Sequence, residues 1–149
     1  MRGVFNMSEY DINVHLGLIQ GVIDRMAKNS LSCKTWALTL FSALIAVLFN
    51  VEKISANNYI AKIFWIAILV MLIIFWQLDS WYLRLERLFR RLYEAVCKDG
   101  GSEIKSYSLS IESFDKEEES VPRIMISYSE CTVYLPLVIL CVVFFLLNF

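Results

Sequence analysis

Residues 63–78 read IFWIAILVMLIIFWQL, a stretch of 16 positions without a charged side chain. Two more uncharged apolar runs lie on either side of it, Thr35–Val51 and Cys131–Phe149. A helix rises about 1.5 Å per residue and the hydrocarbon core of a bilayer is about 30 Å thick, so about 20 residues span it. The third run is long enough by itself, and lysines at the ends of the first two extend them by reaching the headgroup layer. The sequence therefore predicts three transmembrane helices.

The composition agrees with a membrane protein. Hydrophobic residues make up 58% of the 149 positions and charged residues 19%, with a mean hydropathy of +0.56. Soluble domains usually contain about 45–50% apolar residues. A buried helical hairpin in a soluble protein is the alternative for the first two runs, but a soluble chain of this size could not bury all three. The net charge of −1 excludes a generally basic nucleic-acid-binding protein.

Basic residues are distributed unevenly among the segments outside the three runs. Of the 14 lysines and arginines, all but Lys53 and Lys62 lie before the first run or between the second and third. Loops rich in lysine and arginine stay on the cytoplasmic side of a membrane. We therefore expect a cytoplasmic N-terminus and middle segment, and an external C-terminus.

The predicted fold class is a mainly α-helical membrane protein with four segments. Residues 1–34 form a cytoplasmic N-terminal amphipathic helix, and residues 35–78 form a transmembrane helical hairpin. Residues 79–130 form a cytoplasmic extension of the second helix and a small β-hairpin. Residues 131–149 form the third transmembrane helix.

The N-terminal amphipathic helix is predicted over Ser8–Ala27. Ser8 and Asp11 resemble a capping box, and Asn29-Ser30 is expected to end the pattern before the first membrane run. This helix lies either in the headgroup layer or against another cytoplasmic helix, and the small number of basic residues favours helix packing. Its apolar stripe has spacings of three and four residues and consists of Ile12, Leu16, Ile19, Ile23 and Met26.

The second membrane helix is expected to continue far beyond the bilayer. Apolar residues recur at helical spacing as far as Val96, and the first helix breaker is Gly100-Gly101. One helix over Ile60–Cys97 would be about 57 Å long, so about half of it would project into the cytoplasm. Its apolar face predicts packing against the N-terminal helix or another subunit.

An alternating pattern follows this helix. Apolar and polar residues alternate in two short stretches on either side of the acidic run 115–120, and this pattern predicts a β-hairpin. A disordered acidic loop is the alternative, and an isolated hairpin would need a partner surface because it is only marginally stable. The apolar positions of the two stretches are Tyr107, Leu109, Ile111, Ile124, Ile126 and Tyr128.

The sequence offers little catalytic chemistry. His15 is the only histidine, no cysteine pair has metal-site spacing, and no glycine-rich phosphate loop is present. We therefore expect no enzymatic activity, no metal and no cofactor.

Two groups of residues are predicted to make contacts between molecules. Small residues four apart on the first run permit close helix packing, so we expect a homo-oligomer; these are Thr39, Ser42, Ala43 and Ala46. A second group, called the interaction collar, lies just inside the membrane and consists of Asp79, Arg84, Arg87, Arg90 and Arg91. The collar suits anionic lipid headgroups, with capture of an anionic ligand or nucleic acid as the alternative.

Two stretches carry a resemblance to a known group of proteins. Residues 15–30, HLGLIQGVIDRMAKNS, with Lys34 and Trp36 after them, and residues 78–90, LDSWYLRLERLFR, resemble segments of small bacterial membrane proteins. The layout is similar to that of the small multi-span inner-membrane effectors of bacterial anti-phage defence systems. This resemblance implies an inner-membrane location, a signal from a cytoplasmic sensor protein, and damage to the membrane.

The expected function is a self-associating effector or pore in the bacterial inner membrane. The alternative is a non-conducting anchor or regulatory subunit that recruits a cytoplasmic partner protein. The expected partners are the lipid bilayer, further copies of the chain, and a cytoplasmic sensor or an anionic ligand. No strong signal for nucleic-acid binding is present.

Overall fold

A computed structural model describes four stretches of the chain, residues 11–50, 58–99, 107–115 and 120–147. These stretches contain helices and no β-strand. The helices are α1 (Ile12–Asn50), α2 (Asn58–Asp99), α3 (Glu112–Asp115), α4 (Val121–Met125) and α5 (Tyr128–Leu147).

Three of these helices are long and apolar enough to cross a membrane, namely α1, α2 and α5. This finding confirms the prediction of three spans, and the chain is a membrane protein. The 20 residues of α5 extend about 30 Å and match the hydrocarbon core. The 39 residues of α1 and the 42 residues of α2 are about twice as long as a bilayer requires.

The two long helices pack antiparallel, since residues early in α1 contact residues late in α2. Ser30 bonds to Asp79, and Ile19 packs in one cluster with Leu92. Helix α5 runs antiparallel to α2. The Tyr134 hydroxyl lies 3.5 Å from the carbonyl oxygen of Phe75, and Cys141 Sγ lies 3.9 Å from that of Trp65.

Helices α1 and α2 form a helical hairpin, here called the long hairpin, and α5 packs against it. The described residues divide into an apolar half and a polar half. The apolar half contains residues 35–50, 58–78 and 131–147, and its core is formed by Phe41, Leu48, Trp65, Ile68, Leu72 and Cys141. The polar half contains residues 12–33 of α1 and 80–99 of α2. Its core is formed by Ile19, Ile23, Leu92 and Val96, with Ile111 and Phe114 packed against it.

The expected break between the N-terminal helix and the first span was wrong. Helix α1 passes through Asn29 and Ser30 without interruption, because Ser30 directs its hydroxyl to Asp79 on α2. Asp11 precedes the helix, and its carboxylate accepts the N–H of Asn13 at 2.8 Å, as an N-cap residue does. The predicted cap at Ser8 lies outside the described residues.

The predicted β-hairpin was also wrong. In the first stretch, Tyr107 has a φ of 58°, which is incompatible with a strand, and Glu112–Asp115 forms a helical turn. The Tyr107 hydroxyl accepts the N–H of Asp11 at 3.1 Å, and the Tyr107 ring packs beside His15. Of the three alternating apolar residues, Tyr107 and Ile111 contact the long helices, whereas Leu109 is exposed.

The second stretch is helical because its local sequence favours a helix start. Pro122 occupies the first turn of α4, where its missing N–H costs nothing. Ile124 is fully buried, whereas Ile126 and Tyr128 are 76% and 90% exposed. The side chains of this stretch therefore do not form one apolar face. The acidic residues 116–119 lie outside the described part.

Candidate functional site

The most unusual feature of the structure is a cluster of three charged side chains, one from each membrane-crossing helix. Lys34 belongs to α1, Asp79 to α2 and Glu130 to α5. Each residue stands directly beside an uncharged apolar run of its own helix. Because α1 and α5 run antiparallel to α2, the three residues lie at the same end of the apolar half. The cluster therefore marks the boundary between the apolar half and the polar half.

Short contacts connect the members of this cluster. Lys34 Nζ lies 2.6 Å from Asp79 Oδ2 and 2.9 Å from Glu130 Oε1. Ser30 donates its hydroxyl to Asp79 Oδ1 at 2.6 Å and accepts from Lys34 Nζ at 3.2 Å. The cluster therefore joins α1 to α2 and to α5 through polar bonds.

The cluster is removed from water. Asp79 and Glu130 are fully buried, and the Lys34 side chain is 18% exposed. Transfer of a charge out of water costs several kcal/mol unless a partner compensates for it. One ammonium faces two carboxyl groups here, so one negative charge remains without a counter-charge when all three groups are ionised.

Aromatic side chains cover the cluster next to α4. The rings of Trp76 and Tyr134 stack with centroids 5.8 Å apart, and Trp76 Nε1 donates to the carbonyl oxygen of Met125 at 3.1 Å. Tyr134 is fully buried, and its hydroxyl is within interaction distance of the Asp79 carboxylate. These contacts hold α4 and α5 against α2 at the level of the cluster.

A second candidate site is the exposed face of α1 that lies opposite its contact with α2. We call it the small-residue face, and every residue in it is exposed. Spacings of three, four and seven residues place its main members on one side of the helix. They are Gly17, Gly21, Ser32, Thr35, Thr39, Ser42, Ala43 and Ala46, with the charged Lys28 between them in the polar half and Asp24 at the edge of the face.

Hydroxyl groups on this face do not need outside partners. Ser32, Thr35, Thr39 and Ser42 each donate to the backbone carbonyl four residues earlier, at 2.8–2.9 Å. In the polar half, no atom of a neighbouring helix lies within 4 Å of the Cβ positions of Gly17 and Gly21. The face is therefore shallow, and its polar groups are satisfied in lipid.

Exposed faces on the other two membrane helices differ from it. Helix α2 exposes large aliphatic residues such as Ile63, Val70 and Ile74, with exposures of 48–58%. Helix α5 exposes Ile139 and Leu146 in the same way. Large aliphatic side chains suit lipid tails, whereas small ones let two helix backbones approach closely. The predicted packing residues Thr39, Ser42, Ala43 and Ala46 all lie on the small-residue face.

The residues of the interaction collar have different neighbours. Asp79 bonds to Ser30 and Lys34 inside the cluster. Arg84 bonds to Asp115 of α3 at 2.8 Å, and the exposed Arg90 pairs with Glu86 one turn before it at 2.7 Å. The remaining members, Arg87 and Arg91, are half-buried on the same stretch of α2. Asp79 therefore belongs to the buried cluster, while Arg84 and Arg90 line the surface of the polar half.

Sequence reasoning identifies Asp79 but misses the cluster. It assigns Lys34 to the headgroup layer and gives no role to Glu130. The available signal is the position of three charges of both signs, each directly adjacent to a different apolar run. Lys34 and Glu130 are 96 residues apart in the sequence, and Ser30 and Asp79 are 49 apart, so spacing along one helix could not reveal these contacts.

An open cavity of about 360 Å³ lies between α1 and α2 in the polar half. Its walls include Asp24, Arg90, Tyr93 and Glu94. It combines both signs of charge with an aromatic ring on the surface of the long hairpin.

Comparisons with known proteins identify no relative of this chain: no family model matches it, and neither any curated protein nor any solved structure does.

Proposed function

We propose that the chain is a self-associating effector of the bacterial inner membrane, of the type found in anti-phage defence, which acts on membrane integrity when its cytoplasmic part is engaged. The observation that supports it best is the small-residue face of α1. This face extends from Gly17 to Ala46 and is exposed along its length.

The physical argument rests on what drives helix association in lipid. Lipid tails are as apolar as leucine, so membrane helices associate through close packing of small residues rather than through the hydrophobic effect. The face opposite Ile19, Ala37 and Phe41 offers such residues, whereas α2 and α5 offer large aliphatic side chains to lipid. In this proposal α1 helices of neighbouring copies pack together and the other two helices lie outside.

Self-association would also allow a path through the membrane that a single chain is too small to form. Three helices whose side chains already pack into one apolar core leave no room for a path within a single chain. A path through the membrane would therefore be lined by several copies. The resemblance to defence effectors supplies the biological setting, and the polar half of the long hairpin supplies the surface for a signal.

The proposal is tested by reconstituting the full chain into lipid vesicles that contain a fluorescent dye. We expect release of the dye to rise more steeply than linearly with the protein-to-lipid ratio, because several copies form each lesion. Ala46→Leu on the small-residue face should reduce release, and Ala67→Leu, at an exposed position of α2, serves as the matched control. Vesicles that stay intact at every ratio would contradict an effector that acts on the membrane.

The alternative function, a non-conducting anchor, is favoured by the cavity between α1 and α2. The cavity is open to the surface and lined by residues of both charges, as a docking site for a cytoplasmic partner requires. Intact vesicles that contain stable oligomers would favour this second function.

A further inference from the structure

The charge cluster contains fewer hydrogen-bond donors than its carboxylate oxygens require. An ammonium group has three N–H donors. Lys34 Nζ donates to Glu130 Oε1 and to Ser30 Oγ, at 2.9 and 3.2 Å, and lies 2.6 Å from Asp79 Oδ2 in an ion pair. No donor of Lys34 is left for the second oxygen of Glu130.

Two buried carboxylate oxygens of the site lack a hydrogen-bond donor among the described residues, Asp79 Oδ2, whose contact with Lys34 is an ion pair only, and Glu130 Oε2. A buried polar atom without a partner costs about 1–3 kcal/mol, and more when the group is charged. Either a ligand supplies the missing donor or the protein bears this cost at the boundary of its membrane segment.

The carboxyl groups of Glu130 and Asp79 lie within hydrogen-bonding reach of each other. Two ionised carboxylates are acceptors only, so they cannot bond to each other unless a proton lies between them. A single proton would supply the missing donor and would also remove the uncompensated negative charge. Like-charged carboxyl groups that share a site do hold one proton in common.

We propose that Asp79 and Glu130 bind one proton between them, so that with Lys34 they form an electrically neutral proton-binding site at the membrane boundary. The bound proton forms an O–H bond to one carboxyl and is accepted by the other, while the ammonium bonds to both. The site lies within one chain, so it is independent of self-association and of the proposed function.

The polar and charged groups around the cluster come from α1, α2, α4 and α5. Helix α1 contributes the buried Cys33 beside Lys34, and α5 contributes the Tyr134 hydroxyl. On α2, Ser80 donates its hydroxyl to the carbonyl oxygen of Trp76. Helix α4 contains one charged residue, Arg123, which is exposed. One turn farther along α2, Arg84 is engaged with Asp115.

A metal ion fits the site less well than a proton. The Lys34 ammonium already lies between the two carboxyl groups, within 3 Å of each. A metal ion that bound both carboxyl groups would therefore stand beside a fixed positive charge. A proton requires no such space, because it occupies the bond between two oxygens.

Infrared spectroscopy of the full chain in lipid nanodiscs tests the proposal, because a protonated carboxyl group has a C=O stretching band that a carboxylate lacks. We expect this band in the wild-type protein at neutral pH, with a shift in D₂O. Both Glu130→Gln and Asp79→Asn should abolish it, since either change leaves one carboxylate balanced by Lys34. Glu112→Gln, at an exposed position of α3, should leave the band unchanged.

Absence of the band in the wild-type protein at neutral pH would overturn the proposal without the need for any variant. Its retention in both single variants would do the same. Lys34→Met should roughly double the band, because two carboxyl groups would then lack a counter-charge. Replacement of sodium by choline should have no effect, and a band that appears only in choline would assign the site to a metal ion instead.

Discussion

The two faces of α1 differ in the size of their side chains and in what those side chains contact. The inner face contains Ile19, Lys34 and Phe41, and it packs against α2 and α5 of the same chain. The outer face contains small residues such as Gly21, Thr39 and Ala46, and it is exposed along the whole helix. The comparison indicates that one helix separates the residues that stabilise the fold from an exposed face that, in the proposed oligomer, contacts another copy.

Lys34→Met on the inner face should have the largest effect on stability. Removal of one partner of a buried ion pair costs about 3–5 kcal/mol, here because both carboxyl groups lose their ammonium partner and must each take up a proton. Unfolding in lipid, followed by circular dichroism, measures this cost. The matched control is Lys28→Met, an exposed lysine on the outer face, which should change stability by less than about 0.5 kcal/mol. Equal effects of the two changes would remove the distinction between the faces.

Phe41→Ala should have the next largest effect on the inner face. The ring is 6% exposed and belongs to the apolar core. Because lipid replaces water as the surroundings, mainly packing is lost, and we expect about 1–2 kcal/mol rather than the value of about 3–5 kcal/mol for soluble proteins. Leu38→Ala, at a position that is 45% exposed, should cost less in the same unfolding measurement. A larger cost for Leu38→Ala than for Phe41→Ala would show that α1 does not pack through the inner face.

Ala46→Leu on the outer face should weaken association without changing the stability of a single chain. The added side chain prevents close approach of two helices, and we expect about tenfold weaker self-association, which corresponds to about 1.4 kcal/mol. Energy transfer between labelled copies in vesicles measures this change. Loss of single-chain stability in Ala46→Leu would show that the outer face also supports the fold.

Arg90→Gln in the polar half should have the smallest effect. Arg90 is exposed and pairs with Glu86 one turn away, and such pairs contribute about 0.3–0.5 kcal/mol. Unfolding of the variant should therefore differ from the wild type by no more than this amount. A cost above about 1 kcal/mol would mean that Arg90 makes contacts beyond that pair.

The sequence predicts the membrane helices well because long uncharged apolar runs seldom occur outside membrane-spanning segments. It also predicts the length of α2, since apolar periodicity continues to Val96 and a glycine pair follows. It fails for residues 107–115, because alternation over only three positions does not distinguish a strand from an irregular segment. It fails for the charge cluster because the contacts of Lys34 and Glu130 depend on tertiary packing between distant helices.

Central to this account is the claim that the outer face of α1 binds another copy of the chain. Native mass spectrometry of the protein in nanodiscs tests it most directly. We expect a defined homo-oligomer for the wild type and for Ala67→Leu, and smaller species for Ala46→Leu. A wild-type protein that remains a monomer, or an oligomer that Ala46→Leu leaves intact, would contradict the account.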